Sequence, residues 1–268
     1  DWGDLQIVFA TTQGDVRRNR LSDFTNVRSN GKIAMKLPEG VELVNARICS
    51  EDDDVMLTTD SGRAIRFSST DLRVMNSRAS TGVRGIRLTG NDRVVSMSVI
   101  RHFKATPEER AAYLKMRRAM AGVTEDEASD DDVPADPNFS QERYAEMAAV
   151  ENLILTITRA GSGKISSSHD YPVRGRGGMG VTAMDKAMRG GPVVASFPVK
   201  MSDQIMLVTS NGQSIRCPIN GISFRSRSAG GVRVFNTNDD EKVVSVAYIP
   251  DQGDETDEEL VGSPQTEE

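Results

Sequence analysis

The chain has 268 residues, 37% of them hydrophobic and 27% charged, which is enough apolar content for one large or two small globular domains. No apolar run approaches the roughly 20 residues that span a bilayer, and nothing at the N-terminus reads as a signal peptide. The net charge of −6 is unevenly spread. Residues 251–268 hold eight acidic and no basic side chains, and residues 101–150 hold eleven acidic and seven basic ones. Setting both aside leaves 26 of the 33 basic residues and 20 of the 39 acidic ones, so the rest of the chain carries +6. The chain starts at Asp1 rather than Met and reads as a piece of something longer. Cys49 and Cys217 lie far apart in apolar runs, as two buried thiols of a cytosolic protein would. Neither they nor His102 and His169 stand at metal-ligand spacing, which argues against a zinc site.

Four segments repeat along the chain. The first is IVFATTQGDVRRN from Ile7, continuing through VRSNGKIAMKL, and the second is VMLTTDSGRAIRF from Val55, continuing through SRASTGVRGIRL. The third is LILTITRAGSGKIS from Leu153, continuing through VRGRGGMGVTAM, and the fourth is IMLVTSNGQSIRC from Ile205, continuing through SRSAGGVRVF. Their turn glycines, Gly14, Gly62, Gly161 and Gly212, are separated by 48, 99 and 51 residues. The middle gap is therefore two periods, one of them the segment 101–150.

Within each unit the pattern predicts four short strands. In the second, Val55–Thr59 and Arg63–Phe67 flank a turn at Ser61-Gly62, and Val83–Leu88 and Arg93–Ile100 follow a polar loop. Asn211-Gly212 suits a two-residue hairpin. Four strands per unit of this length predict an all-β, propeller-like array of four-stranded blades, which must stack because no blade buries both faces alone. Blades one and two fall in 1–100, a helical insertion with an acidic linker in 101–150, blades three and four in 151–250, and a disordered acidic tail in 251–268. In the insertion, Thr106-Pro107-Glu108-Glu109 is a capping box with Pro at the first helical position, and Gly122 suits the residue after the helix. Tyr113, Met116 and Met120 lie at helical spacing, and Ser140 caps a second helix. Helices are expected over 107–121 and 141–149, joined by the acidic stretch from Glu125 to Asp136.

Basic residues recur at matching offsets. Just past the turn glycines stand Arg17 and Arg18, Arg66, Lys164 and Arg216. The long loops carry Arg28 and Lys32, then Arg78 and Arg84, then Arg174 and Arg176, then Arg225, Arg227 and Arg233. Small residues stand beside them: Ser29-Asn30-Gly31, Ser80-Thr81-Gly82, Gly177-Gly178 and Ala229-Gly230-Gly231. One such arginine is an ordinary solvated cation. Four copies in register make a row in which glycine lets a phosphate approach backbone N–H groups and arginine neutralises it. Duplex DNA laid on that row would bend around the rim.

Catalytic patterns are missing. There is no Walker motif, metal cluster or nucleophilic triad. Gly161-Ser162-Gly163-Lys164 lacks the spacing of a phosphate-binding loop and reads as a hairpin turn. Arg143-Tyr144 reads as a pair on a helix surface. Aromatics are 5% of the chain and do not interleave with the basic residues, which argues against base stacking on single strands.

The segments VFATTQGDVRRNRLSDF…GKIAMKL, VMLTTDSGRAIRF…TGVRGIRL and QIMLVTSNGQSIR resemble consecutive blades of the C-terminal domain of the DNA gyrase A protein. The resemblance covers most of 1–250 apart from the insertion. It implies a β-pinwheel, usually of six blades, that wraps duplex DNA on a basic rim with little sequence preference. In the parent enzyme that wrap supports ATP-dependent negative supercoiling, so the partners implied are double-stranded DNA, the gyrase A core and the gyrase B protein, in the cytoplasm at the nucleoid. ATP and Mg belong to other domains of the parent, and this part carries no cofactor and no catalytic residue. The family's heptapeptide, Gln-Arg-Arg-Gly-Gly-Lys-Gly, belongs to a first blade missing here. Its nearest echo is Arg174-Gly175-Arg176-Gly177-Gly178-Met179-Gly180, with Met179 in place of the lysine. Two other readings compete: the counterpart domain of topoisomerase IV, and a propeller for protein interaction. The latter would concentrate aromatic and apolar residues in its loops, where this chain has Arg, Ser and Gly.

Overall fold

The structure is a computed structural model that describes residues 2–123, 133–185, 190–237 and 240–251. Each unit begins with a tight hairpin. In the first, β1 (Gln6–Thr11) and β2 (Asp15–Arg20) pair antiparallel, and β3 (Leu43–Cys49) pairs with the other edge of β1. The second unit supplies β4 (Asp53–Thr59), β5 (Arg63–Ser68), β6 (Val83–Arg84) and β7 (Val94–Arg101). After the insertion come β8 (Leu153–Thr158), β9 (Ser162–Ser167), β10 (Val181–Thr182) and β11 (Val193–Val199). The fourth unit supplies β12 (Gln204–Thr209), β13 (Ser214–Pro218), β14 (Val232–Arg233) and β15 (Val243–Ile249).

The hairpins share one turn device. The last residue of each first strand is a buried threonine: Thr11, Thr59, Thr158 or Thr209. Its carbonyl accepts the N–H of the turn glycine, and its hydroxyl accepts the N–H of the following residue at 3.2–3.3 Å. The glycines sit at φ 79–84°, the left-handed region that residues with a Cβ avoid. At Asn211-Gly212 the loop is accordingly longer than the two-residue hairpin expected, because Gly212 closes the turn from Thr209.

The expected all-β array of small antiparallel sheets is present, but each blade is not cut where the repeat suggested. The sheet orders are β3-β1-β2-β6, β10-β5-β4-β7, β11-β8-β9-β14 and β13-β12-β15. The short third strand of the second, third and fourth units therefore completes the preceding blade. Asp15 and Val16 pair with Arg84 and Val83, Ala64 and Arg63 with Val181 and Thr182, and Gly163 and Ser162 with Val232 and Arg233. Each arm is anchored at the neighbour's turn glycine, through Gly85 N–H to Gly14 O, Ala183 N–H to Gly62 O and Val234 N–H to Gly161 O, at 2.8–2.9 Å. The arm of the first unit has no earlier hairpin here, and its Ile33 is 72% exposed. The fourth sheet has three strands among the described residues for the matching reason.

Apolar side chains fill the spaces between blades. Val8, Val16, Val55, Leu57 and Phe67 form the first interblade core, and Leu155, Ile157, Ile205, Leu207 and Val243 form another. Cys49 lies in the first, where burial pushes its thiol up to about 11, while Cys217 is only half-buried. The strands next to the array's axis, β3, β7, β11 and β15, line a cavity of about 480 Å³.

The inner strand of one blade reaches the first strand of the next through a four-residue turn. Ser50–Asp53 and Lys200–Asp203 are two copies, each closed by the aspartate accepting the first residue's N–H at 2.7 and 2.6 Å. Between β7 and β8 the insertion replaces that turn. Its helix α1 (Pro107–Met120) starts with the expected capping box between Thr106 and Glu109, and Gly122 follows it at φ 70°. Helix α2 (Gln141–Ala149) is capped by Ser140. Tyr113, Leu114 and Met147 are buried at their contact, with Tyr144 stacked on Tyr113 at 4.9 Å rather than standing free on the surface.

Candidate nucleic-acid interface

The long loops of the second, third and fourth units run along the outer edge of the preceding blade before the arm adds to that sheet. Met75 N–H donates to Arg18 O, Arg174 N–H to Arg66 O and Arg225 N–H to Ile165 O, each at 2.8 Å. The loops are therefore the outermost backbone of the blades they cover. Some of their side chains point inward, Leu72, Ile86 and Arg227 among them, and the rest face outward.

The fourteen basic residues predicted to contact DNA separate into three groups. Arg28, Arg84, Arg174, Arg176, Arg216 and Arg233 are exposed. Lys32, Arg78 and Arg225 are half-buried. Arg17, Arg18, Arg66, Lys164 and Arg227 are buried, each 5% exposed or less.

Four of the buried group, Arg17, Arg66, Lys164 and Arg227, have structural partners that a phosphate would have to displace. Arg17 donates to Asn19 Oδ1 and to the carbonyls of Arg78 and Ser80, each at 2.7 Å, and also to Ala34 O. Lys164 donates to the carbonyls of Ser226 at 2.9 Å and Ala229 at 2.7 Å, and to Arg227 O. These two cations sit at equivalent positions, and each holds the next unit's loop from inside. Arg66 donates its Nε to Asp54 at 2.7 Å and its other nitrogens to Ser168 O and Arg101 O. Burial lowers its pKa, and the Asp54 carboxylate offsets part of that effect. Arg227 donates to Asp170 O and Thr182 O, with its backbone N–H on Asp170 Oδ2 at 2.7 Å. Arg18 occupies the place of Arg66 in the first blade, under the loop that begins at Leu72. Arg216 occupies it in the fourth, where no further loop among the described residues covers it.

The exposed arginines gather most densely where the third unit's loop leans on the second unit's arm. Gly177 N–H donates to Gly85 O at 2.6 Å and Arg87 N–H to Gly178 O at 2.8 Å. Arg176 donates to Asp71 O and Arg84 O at 3.1 Å each. Arg84, Arg87, Arg174 and Arg176 thus lie together, beside the exposed Met179 of the box-like motif. Arg87 was not among the expected contacts, although it stands three residues beyond Arg84 in a strand-like arm that leaves both exposed.

The loop glycines also divide. Gly82, Gly180 and Gly231 take equivalent places, and a Cβ on any of them would overlap backbone atoms of Val16, Ala64 or Gly163. They allow the arm to cross the neighbouring hairpin, not a phosphate to approach. Gly175 has open space around it, and Gly178 has only the end of Ile65 within ordinary contact, so in the third loop the backbone is accessible. No group of three or more His, Cys, Asp or Glu side chains that could hold a metal occurs among the described residues. No helix among them is long and apolar enough to cross a membrane.

The profile of the family described as DNA gyrase C-terminal domain, beta-propeller, matches residues 6–50, 53–101, 152–199 and 203–250, one match per unit with the insertion outside. The DNA gyrase A protein of Granulibacter bethesdensis is 45% identical over 98% of this chain and 30% of its own length. That of Rickettsia bellii is 41% identical over 97% of this chain and 29% of its own length. The chain therefore spans about a third of these curated relatives. Among solved structures, a DNA gyrase A C-terminal domain aligns with TM-score 0.65 at 22% identity, over 92% of this chain and 66% of that one. A C-terminal domain of DNA topoisomerase IV aligns with TM-score 0.68 at 17% identity, over 92% of this chain and 62% of that one. Both show the fold alone. With all four repeat units matched, this chain belongs to the DNA gyrase A C-terminal domain family of β-propellers.

Proposed function

We propose that this chain binds and bends duplex DNA on its outer loops and arms, with little sequence preference, as part of a type IIA topoisomerase. The observation that carries the reading is the set of exposed arginines on successive units, densest at Arg84, Arg87, Arg174 and Arg176. Guanidinium groups spread along a curved outer edge neutralise phosphates without reading bases. In the longer protein, the bend would present a DNA segment for strand passage in a fixed handedness and so support ATP-dependent negative supercoiling. ATP and Mg would act on other domains, with the gyrase A core and the gyrase B protein as partners in the cytoplasm. The naming of the curated relatives favours gyrase over topoisomerase IV.

Titration of a labelled duplex at several salt concentrations tests the reading. With about six phosphates neutralised, log K falls with log salt at a slope of roughly −5. Arg176→Glu weakens binding about tenfold on every sequence alike, the size of one lost charge-assisted contact. A slope near zero, or tight binding to one sequence only, would overturn it.

A further inference from the structure

We propose that the helical insertion is a brace that positions the fourth unit's outer loop, Ser223–Ala229, for its contact with DNA. This rests on the duplex-binding reading above. The insertion reaches that loop by two separate routes.

The first route is direct. The Arg117 guanidinium of α1 lies over the Phe224 ring, 4.6 Å from its centroid. The same guanidinium is fixed from behind by Glu151, 3.1 Å away at the root of β8. Phe224 is itself tied to the third blade, because Ile165 N–H donates to Ser223 O at 3.0 Å and Arg225 N–H to Ile165 O at 2.8 Å. Arg117 therefore clamps the side chain just before Arg225, one of the half-buried candidate DNA contacts.

The second route passes through the short 3₁₀ turn Ser168–Asp170. His169 is enclosed by the insertion: its Nε2 is 2.8 Å from Met147 O, Tyr113 meets it edge-on at 4.9 Å and Phe103 at 5.8 Å. Arg110 donates to His169 O at 3.4 Å. The next residue, Asp170, accepts the Arg227 backbone N–H at 2.7 Å and the Arg227 Nε–H on its own carbonyl at 2.8 Å. Whatever holds the 3₁₀ turn therefore also holds Arg227, in the middle of the loop. Lys164 fixes the loop from below, so undocking the insertion leaves it attached but with one side free.

The other two junctions between inner and first strands are four-residue turns, and this provides a clean excision. In one variant, Arg101–Asn152 is replaced by the sequence of Ser50–Asp53; in the second, Arg117→Gln breaks only the first route. Amide hydrogen exchange without DNA reads the brace itself. Exchange across Ser223–Ala229 is expected to rise at least tenfold in the excised chain and severalfold in Arg117→Gln, with Met206–Thr209 in β12 unchanged. Arg117→Lys, which keeps the charge over the ring, should restore most of the protection. Unchanged exchange in the loop of a chain whose β12 is intact overturns the proposal. If the excised chain does not fold, Arg117→Gln and its lysine rescue decide it alone.

Duplex titration then separates positioning from direct contact. Arg117→Gln should weaken binding about threefold in the parent chain and not at all in an Arg225→Ala background, since its effect passes through that loop. Equal losses in both backgrounds would mean that the insertion touches DNA itself, and the brace reading falls. If the parent chain binds no duplex, the reading of function fails while the exchange measurement still judges the brace.

Discussion

Lys164 and Arg174 look alike in the sequence, each a cation in a glycine-containing stretch at a repeated offset, yet one is fully buried and the other exposed. The difference follows from strand alternation. Arg17 and Arg18 are neighbours on β2, so their side chains point to opposite faces of the sheet. Both faces are covered, one by the next blade and one by the next unit's loop, and both arginines are buried. At one position the pairing across the hairpin carried a usable signal. Arg66 faces the first strand beside Asp54, Arg18 and Arg216 stand in blades whose equivalent residues are Gln6 and Gln204, and Ile165 goes with Leu153. Of these, only Arg66 with Asp54 is an interior pair: buried Arg18 makes no bond to Gln6, and Arg216 beside Gln204 is exposed. Substitution separates the two classes. Lys164→Met leaves three loop carbonyls without their donor and should lower unfolding free energy by about 3 kcal/mol, at roughly 1 kcal/mol per lost bond. Arg174→Ala should change stability by less than about 0.5 kcal/mol, as exposed positions do, while weakening duplex binding. Denaturant titrations of both variants check this; similar stability losses would mean that the carbonyl cage has no special role.

At the scale of elements, the insertion's helices were legible because their ends are local: Thr106, Pro107, Glu109 and Ser140 act within three residues of themselves. Its docking was not legible, since Phe224 lies more than one hundred residues from Arg117 in sequence. His169, placed at that docking surface, is expected to make it pH-dependent. Desolvation is the main cause of the lowered pKa of its imidazole, and nearby Arg66 and Arg110 act in the same sense. The bond to Met147 and the Glu151 carboxylate oppose them without reversing the direction. A histidine whose folded pKa lies below its unfolded value of about 6.5 binds fewer protons when folded, so its stabilising contribution is complete above that pH. It is lost as pH falls from there through the folded pKa. Lowering pH from 7.5 to 5 is therefore expected to lower the protection of amides in α2 and around His169, relative to their intrinsic exchange at each pH, before the blades respond. His169→Gln should remove that pH step; an identical profile in the variant would assign the step to other groups.

For the whole molecule, the period of the repeat told how many units there are but not where a blade is cut, because strand exchange shifts the boundary without changing the spacing. The arm pairings and the fit of Gly82, Gly180 and Gly231 against the preceding hairpin fix the phase, and they exist in three dimensions alone. Charge distribution was readable directly. The tail's residues 252–268 lie outside the described residues, but its root is fixed: Asp251 N–H donates to Asp203 Oδ1 at 3.0 Å, beside Tyr248 O–H on Asp203 Oδ2 at 2.6 Å. That root packs on Asp203 of the four-residue turn Lys200–Asp203, the equivalent of the junction that carries the insertion, so the tail's eight negative charges start beside blades whose exposed side chains are rich in arginine. If the outer arginines bind phosphate as proposed, a tethered polyanion at that place would compete for the same cations. Truncation after Pro250 is therefore expected to tighten duplex binding. The gain should be larger at 0.01 M salt, where the screening length is about 30 Å, than at 0.15 M, where it is about 8 Å. Titrating the intact and truncated chains against one labelled duplex at both salts measures this. Equal affinities at both would show that the tail's charge does not reach the DNA-binding edge.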